Sequence, residues 1–499
     1  MKNEDKLYLL IIIVAWAIFR FPFLQVEPLQ LDEALYAQMT NAFMQHATLQ
    51  PVFMGEVVSW RPIGYFLINA PFVALGKALA LNPELAYRLS SLFFSFLTGI
   101  VLYFLVKNMY KRADVAFVAA LFYQVNFATV FVSNRGLTDS VLMFFMVSSL
   151  YFYFKGKDAG DFLCAGALAF AAYFVKTVMA LAVPFLAVSY WFFKDRKALR
   201  DKYFLVSLLA VPLAAVLVAG IMQASSSQLG SDISTLLVKF DFADKNFLQV
   251  MLSATVVFAA MIGMFVGFAV EGAKKIAGFD PFIIVWLSML PVLIWGSQVG
   301  MPWYLLPAMP AVGIVVAVGS LDKKHKFDSF ASAVFAFLVI LTLAITIYFY
   351  AFNSSPHYEK EAGEFLAGKD NVYVMGYYAP GILFYKNNLD SKAGNLCTIV
   401  TGLKGNNNTY KAFENASEKE IEDAIAQAYY GKNGPVDFNT RWTDAFWDRR
   451  PLAAGCNGFG ADYIVAAGLK AGMVERLGNF TLVKNISGEI LIYEKAQRR

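Results

Sequence analysis

"LSSLFFSFLTGIVLYFLVKNMYKR", residues 89–112, is an apolar run from Leu89 to Val106 closed by Lys107, Lys111 and Arg112. A helix needs about 20 largely apolar residues to cross the hydrocarbon core of a bilayer, so this run with its basic stop reads as a membrane span ending at a cytoplasmic surface. Similar runs recur near 113–132, 140–154, 161–175, 178–193, 203–222, 247–270, 281–299, 304–321 and 329–352. An earlier run, Leu7–Phe19, follows Lys2 and Lys6 as in a signal peptide, but no small-residue cleavage site follows and it reads as a retained first helix. The expected total is about eleven spans.

Composition agrees. The chain has 499 residues, 58% hydrophobic and 16% charged, with a mean hydropathy of +0.52, far from the balance of a soluble protein. The net charge of +5 is no nucleic-acid signature, because the basic residues mark interhelical loops and lack aromatic interleaving; no nucleic-acid partner is expected.

Basic content alternates between loops. Lys107, Lys111 and Arg112; Lys155 and Lys157; Lys194, Arg196, Lys197, Arg200 and Lys202; Lys274 and Lys275; and Lys323, Lys324 and Lys326 fall in one set, expected to be cytoplasmic. The opposite set contains residues 25–88, "SNRGLTDS" (133–140), "QASSSQLGSDIS" (223–234) and "GMPWYLLP" (300–307). Within 25–88, the stretch 62–76 is interrupted by Pro and Gly and is expected to form interfacial helices rather than a crossing.

After residue 352 the apolar runs stop. Short alternating segments and a helical stretch at 417–431, with Ser417 as its N-cap, indicate a small α/β domain over 353–499, following a membrane domain over 1–352. An odd number of spans from a cytoplasmic N-terminus puts that domain outside, compatible with sequons at Asn353, Asn407, Asn415, Asn479 and Asn485. Cys397 and Cys456 would pair there in an oxidising compartment, while Cys164 lies in a span. Histidine-rich zinc spacing is absent.

Ionisable residues gather on the outer side. Asp32 and Glu33 follow the first span; Arg20, Arg61, Arg88, Arg135, Asp139, Lys176, Lys239 and Tyr304 lie in outer loops or helix ends. A charge costs up to about 3 kcal/mol at the centre of a span, so such groups are normally paired or turned to a cavity. Each also has a plain reading. Asp32 could cap the helix that follows it, Thr138 or Asp139 the span after it, the cations could snorkel, and Tyr304 with Trp303 could belong to an aromatic belt. Together they suit a cavity for a substrate both anionic and greasy.

In order and spacing, "FRFPFLQVEPLQLDEALYAQM", "SWRPIGYFLINAPFVALG", "AYRLSSLFFSFLTGIVLYFLVKNMY", "SNRGLTDSVLMFF", "AAYFVKTVMALAVP" and "WYLLPAMPAVGIVVAVG" resemble the C-type (GT-C) polytopic glycosyltransferases, related to protein O-mannosyltransferases and lipid A aminoarabinose transferases. The resemblance covers residues 7–321 and, more faintly, "VYVMGYYAPGILFYKNN". It implies transfer of one sugar, with inversion, from a polyprenyl-phosphate donor (dolichyl or undecaprenyl) to a protein, glycan or lipid acceptor on the non-cytoplasmic face of a plasma or endoplasmic-reticulum membrane.

The resemblance makes Asp32 the catalytic carboxylate with Glu33 beside it, and Arg61 the leading ligand of the donor phosphate, followed by Arg135, Lys176, Tyr304 and Lys239. Asp139, Arg88 and Trp60 are further substrate-binding candidates. Trp60 precedes Arg61 where the family pattern has an acid before a lysine, which leaves use of a divalent metal open. Two other readings compete: a transporter or lipid-binding protein using the same cavity without bond-making, and a degenerate member whose outer domain binds a partner. No inverted repeat or paired broken helix supports the transporter, and retained Asp32 argues against the degenerate member.

Overall fold

The computed structural model describes residues 3–23, 28–29, 31–47, 49, 52–53, 56–57, 63–176, 180–221, 263–289, 305–320, 329–352, 357–370, 372–375, 379–387, 396–400, 452–454, 462–467, 480–488 and 490–495. The chain divides into two compact units, Met1–Val26 with Pro62–Ser354, and Glu27–Arg61 with Ser355–Arg499. The stretch Glu27–Arg61, assigned above to the membrane domain's first outer loop, thus clusters with the C-terminal residues.

The first unit is helical: α1 (Asn3–Ile18), α3 (Gly64–Ala78), α4 (Pro83–Tyr110), α5 (Ala113–Val125), α6 (Phe127–Ser133), α7 (Thr138–Lys155), α8 (Ala159–Val175), α9 (Ala182–Lys194), α10 (Lys202–Leu208), α11 (Ala210–Ile221), α12 (Val266–Phe279), α13 (Pro281–Leu287), α14 (Met309–Gly319) and α15 (Ser329–Phe352). The stretch Asn3–Phe23 and helix α4 are long and apolar enough to cross a membrane. The local signals for α4 are plain. Asn82 caps it by accepting from the Leu85 N–H at 3.0 Å, Pro83 occupies its first turn, and Lys111 ends it in the left-handed region at φ 56°.

Three expectations are corrected. The run 113–132 is two helices bent by 56°, because the Asn126 side chain caps a new helix by accepting from Ala128 N–H at 3.0 Å. The stretch 62–76 contains no break after residue 64. Helix α3 continues through Pro71, its buried face of Tyr65, Phe66, Asn69 and Val73 offsetting the one lost N–H donor. Lys274 and Lys275 stand in helix α12, not in a loop, and Glu271 pairs with them at 3.5 and 3.2 Å.

Glycine sets how closely these helices approach, as expected where packing rather than a hydrophobic driving force holds helices together. A Cβ at Gly272 of α12 would lie 1.9 Å from the Val315 carbonyl oxygen of α14, and one at Gly319 would lie 2.0 Å from the Phe268 carbonyl oxygen.

The second unit holds α2 (Leu31–His46), the hairpin β1 (Val52–Phe53) and β2 (Glu56–Val57), α16 (Tyr358–Phe365), β3 (Val372–Met375), α17 (Ala379–Asn387), β4 (Leu396–Val400), β5 (Leu452–Ala454), β6 (Tyr463–Ala467), β7 (Phe480–Ile486) and β8 (Ile490–Lys495). Its six-stranded sheet runs β5-β4-β3-β6-β8-β7, with β3 parallel to both β4 and β6 and the remaining pairs antiparallel. Helix α16 packs on β7 and β8, and α17 on β4. Ser417 lies outside the described residues.

Candidate functional site

In the helical unit, polar chemistry concentrates where α6 gives way to α7, at "SNRGLTDS". Arg20, just beyond α1 and fully buried, donates from Nε to Ser133 Oγ at 2.9 Å and from Nη1 to the Gln124 carbonyl at 2.8 Å. It ties the end of α1 to the α5–α6 bend, a use of guanidinium donors where backbone groups are left open by the broken helix. Ser91 of α4 donates to the Leu137 carbonyl at 2.9 Å and fixes the same loop from another side.

Asp139, buried in the first turn of α7, receives Lys176 Nζ at 2.7 Å. Lys176 is the residue on which α8 ends, so two helix ends bring opposite charges together. Leu137, not Thr138 or Asp139, occupies the N-cap of α7, and no side chain caps it, so the capping alternative for these two residues does not hold. Arg135 is buried with its guanidinium 4.0 Å from the Phe131 ring centroid, a cation–π arrangement. Arg88 is buried in α4. Beside them, neither atom of the buried Asn134 amide has a hydrogen-bond partner, and the same holds for Gln124 Oε1.

In the second unit, helix α2 begins at Leu31, so Asp32 and Glu33 both lie inside its first turn. Asp32 is therefore not the N-cap the alternative reading supposed; both carboxylates sit where the helix dipole favours negative charge. Asp32 is half-buried and Glu33 buried. Leu29, just before the helix, donates its N–H to Tyr385 Oη at 2.8 Å. The buried carboxyl of Glu359 in α16 is pushed up to about 8, by burial above all and then by the charge of Glu33. Nothing in the sequence marked Glu359: it stands in "HYEKEAGEF", which reads as an ordinary solvated helix.

Of the residues singled out from sequence, the structure thus joins Asp139 directly to Lys176, keeps Arg135 in the same loop and places Asp32 and Glu33 side by side in the other unit. Trp60, Arg61, Lys239, Tyr304 and Cys456 lie outside the described residues; Cys397 is on β4, with its side chain outside them. Cys164 is exposed on α8 with a free thiol. Among the described residues no group of three or more His, Cys, Asp or Glu side chains is arranged to hold a metal, so no metal ligand is assigned.

Known proteins share this architecture. The oligosaccharyltransferase of Archaeoglobus fulgidus, in its apo form, superposes with a TM-score of 0.58 at 12% identity, covering 94% of this chain and 70% of that one. ArnT from Cupriavidus metallidurans in the apo state superposes with a TM-score of 0.52 at 14% identity, covering 98% and 97%. The family model described as dolichyl-phosphate-mannose-protein mannosyltransferase matches residues 66–221.

The chain shares the fold of these two transferases. A curated relative, the undecaprenyl phosphate-alpha-4-amino-4-deoxy-L-arabinose arabinosyl transferase of Edwardsiella ictaluri, is 22% identical over 312 residues, covering 58% of this chain. The match spans about half of that relative's length, 54%.

Proposed function

We propose that the chain is an integral-membrane, inverting glycosyltransferase that moves a single sugar from a polyprenyl phosphate to an acceptor on the non-cytoplasmic face. The observation that carries this reading is the ion pair of Asp139 and Lys176, built by two helix ends within a fold of the C-type class. A paired lysine is oriented as well as charged, which suits it to a phosphate.

In the proposed reaction the acceptor's hydroxyl or amine attacks the anomeric carbon as the bond from that carbon to the phosphate oxygen breaks. Asp32 takes the acceptor's proton, and the polyprenyl phosphate leaves with the electron pair. General-base catalysis of this kind contributes about 10²–10⁴-fold. Cations at the phosphate stabilise the departing charge, a role given to Arg61, Arg135 and Lys176, with Tyr304 and Lys239 as further ligands. Arg88, Asp139 and Trp60 are assigned to the remainder of the substrate.

The finer topology belongs to the same proposal: about eleven spans, a cytoplasmic N-terminus and residues 353–499 as an extracytoplasmic α/β domain that shapes the acceptor's approach.

The decisive experiment reconstitutes the full chain with lipid-phosphate-linked sugars and follows transfer. Asp32→Asn should abolish transfer while donor still binds, and Arg61→Ala should weaken donor binding more than acceptor binding. Full activity in the Asn variant removes Asp32 as the base. Sugar-lipid movement across the bilayer without bond cleavage would instead support a transporter.

A further inference from the structure

Asn134 ends α6 and stands in the loop "SNRGLTDS" between two fixed points. On one side Ser133 Oγ accepts from Arg20 Nε at 2.9 Å; on the other the Leu137 carbonyl accepts from Ser91 Oγ at 2.9 Å. The backbone here is spent on closing α6: the Asn134 N–H donates to the Val130 carbonyl at 3.0 Å, and the Arg135 N–H to that of Val132 at 3.3 Å. The Asn134 side chain is not spent. It belongs to a residue only 3% exposed, and neither Oδ1 nor Nδ2 has a hydrogen-bond partner. Turning the amide over would exchange the two atoms and leave both still open. Asparagine commonly turns its amide back on the local backbone, and this one does not.

A buried amide without partners costs free energy, which is recovered in full only when a group that both donates and accepts arrives. The parts of a lipid-linked sugar differ in this respect. A polyprenyl chain forms no hydrogen bonds, and the phosphate oxygens of a phosphodiester only accept. Neighbouring hydroxyls of a sugar ring, or a hydroxyl beside an amine, offer an acceptor to Nδ2 and a donor to Oδ1 at once. The same loop leads into Asp139, which holds Lys176 at 2.7 Å, so the open amide and the ion pair stand in one short stretch of chain.

We propose that Asn134 recognises the donor's sugar: its buried amide holds two adjacent polar substituents of the ring and so selects for the sugar rather than for the lipid or the phosphate. This rests on the function proposed above, in which Lys176 meets the phosphate that carries the sugar.

The test measures binding to the full chain in lipid nanodiscs for undecaprenyl phosphate, undecaprenyl phosphate-linked mannose and undecaprenyl phosphate-linked 4-amino-4-deoxyarabinose. Wild type, Asn134→Leu and Asn134→Ala are compared. Wild type should bind at least one sugar lipid more tightly than the bare phosphate lipid. Both variants should lose about tenfold in affinity for that sugar lipid, with binding of undecaprenyl phosphate changed less than about twofold. Without any lipid-linked sugar, the melting midpoint of Asn134→Leu should equal or exceed that of wild type, because an unpaired buried amide has gone. Equal losses for the sugar lipid and the bare phosphate lipid, or no loss at all, overturn the proposal. So does a midpoint lowered by more than about 3 °C in both variants, the mark of an amide that a trapped water ties into the fold. Wild type binding both sugar lipids no more tightly than the bare phosphate lipid overturns it as well. Wild type binding none of the three overturns the function proposed above and takes the Asn134 assignment with it, a failure distinct from the others.

Discussion

At the scale of single residues, the Lys176–Asp139 pair is the most exacting contact in the α6–α7 region. Removing one partner of a part-buried, charge-assisted contact leaves the other unpaired, and here Asp139 is the buried partner. Asp139→Asn is therefore expected to lower kcat/KM for the donor about 10–100-fold, and Lys176→Ala to raise donor KM as well. Steady-state kinetics on the reconstituted chain checks both; an unchanged donor KM in the Ala variant moves the phosphate away from Lys176. Glu359 makes a separate prediction about stability. Its proton is held more tightly in the fold than in the unfolded chain, where it titrates near the ordinary 4.5, so its contribution is complete below that value and is lost as pH rises through about 8. Thermal unfolding from about pH 5 to about pH 9 should therefore show a steeper decline in wild type than in Glu359→Gln. The two kinds of residue differ in how visible they are in sequence. Asp139 and Lys176 stood out because charges between apolar runs demand a reason. Glu359 did not, since α17, which packs against its stem at Gly381, lies further along the chain than the charged residues around it.

At the scale of elements, the small residues between α12 and α14 are the feature most open to test. Gly272→Val would drive side-chain carbon into the Val315 backbone, and overpacking at a helix crossing should cost about 3 kcal/mol, read as a lowered melting midpoint in detergent. A midpoint within a degree or so of wild type would mean that the helices part without penalty there. The α5–α6 bend offers a milder test, because Asn126→Ala removes one capping bond worth about 1 kcal/mol. Hydropathy located most of these helices: 140–154, 161–175 and 329–352 correspond to α7, α8 and α15. It missed the bend at Asn126 because apolar residues continue on both sides of it. It missed the true extent of α12 because Lys274 and Lys275 look like a loop until Glu271 is set one turn before them.

At the scale of the whole chain, the second unit is assembled from two stretches far apart in sequence. A truncation after residue 354 removes α17, the partner of α2, and should leave residues 27–61 open to proteases while abolishing transfer. Limited proteolysis followed by mass spectrometry checks this, and an equally resistant 27–61 segment would show that α2 stands without its partner. The sequence could not disclose this pairing. Hydropathy reports local depth in a membrane, whereas Glu27–Arg61 is defined by what it meets after residue 355. The same discontinuity has a consequence during biosynthesis. At about 5–20 residues per second, a ribosome that has released Arg61 needs roughly 15–60 s to reach Ser355. Through that interval α2 of a nascent chain waits without α17, the helix it packs against, so the second unit closes only as translation nears its end.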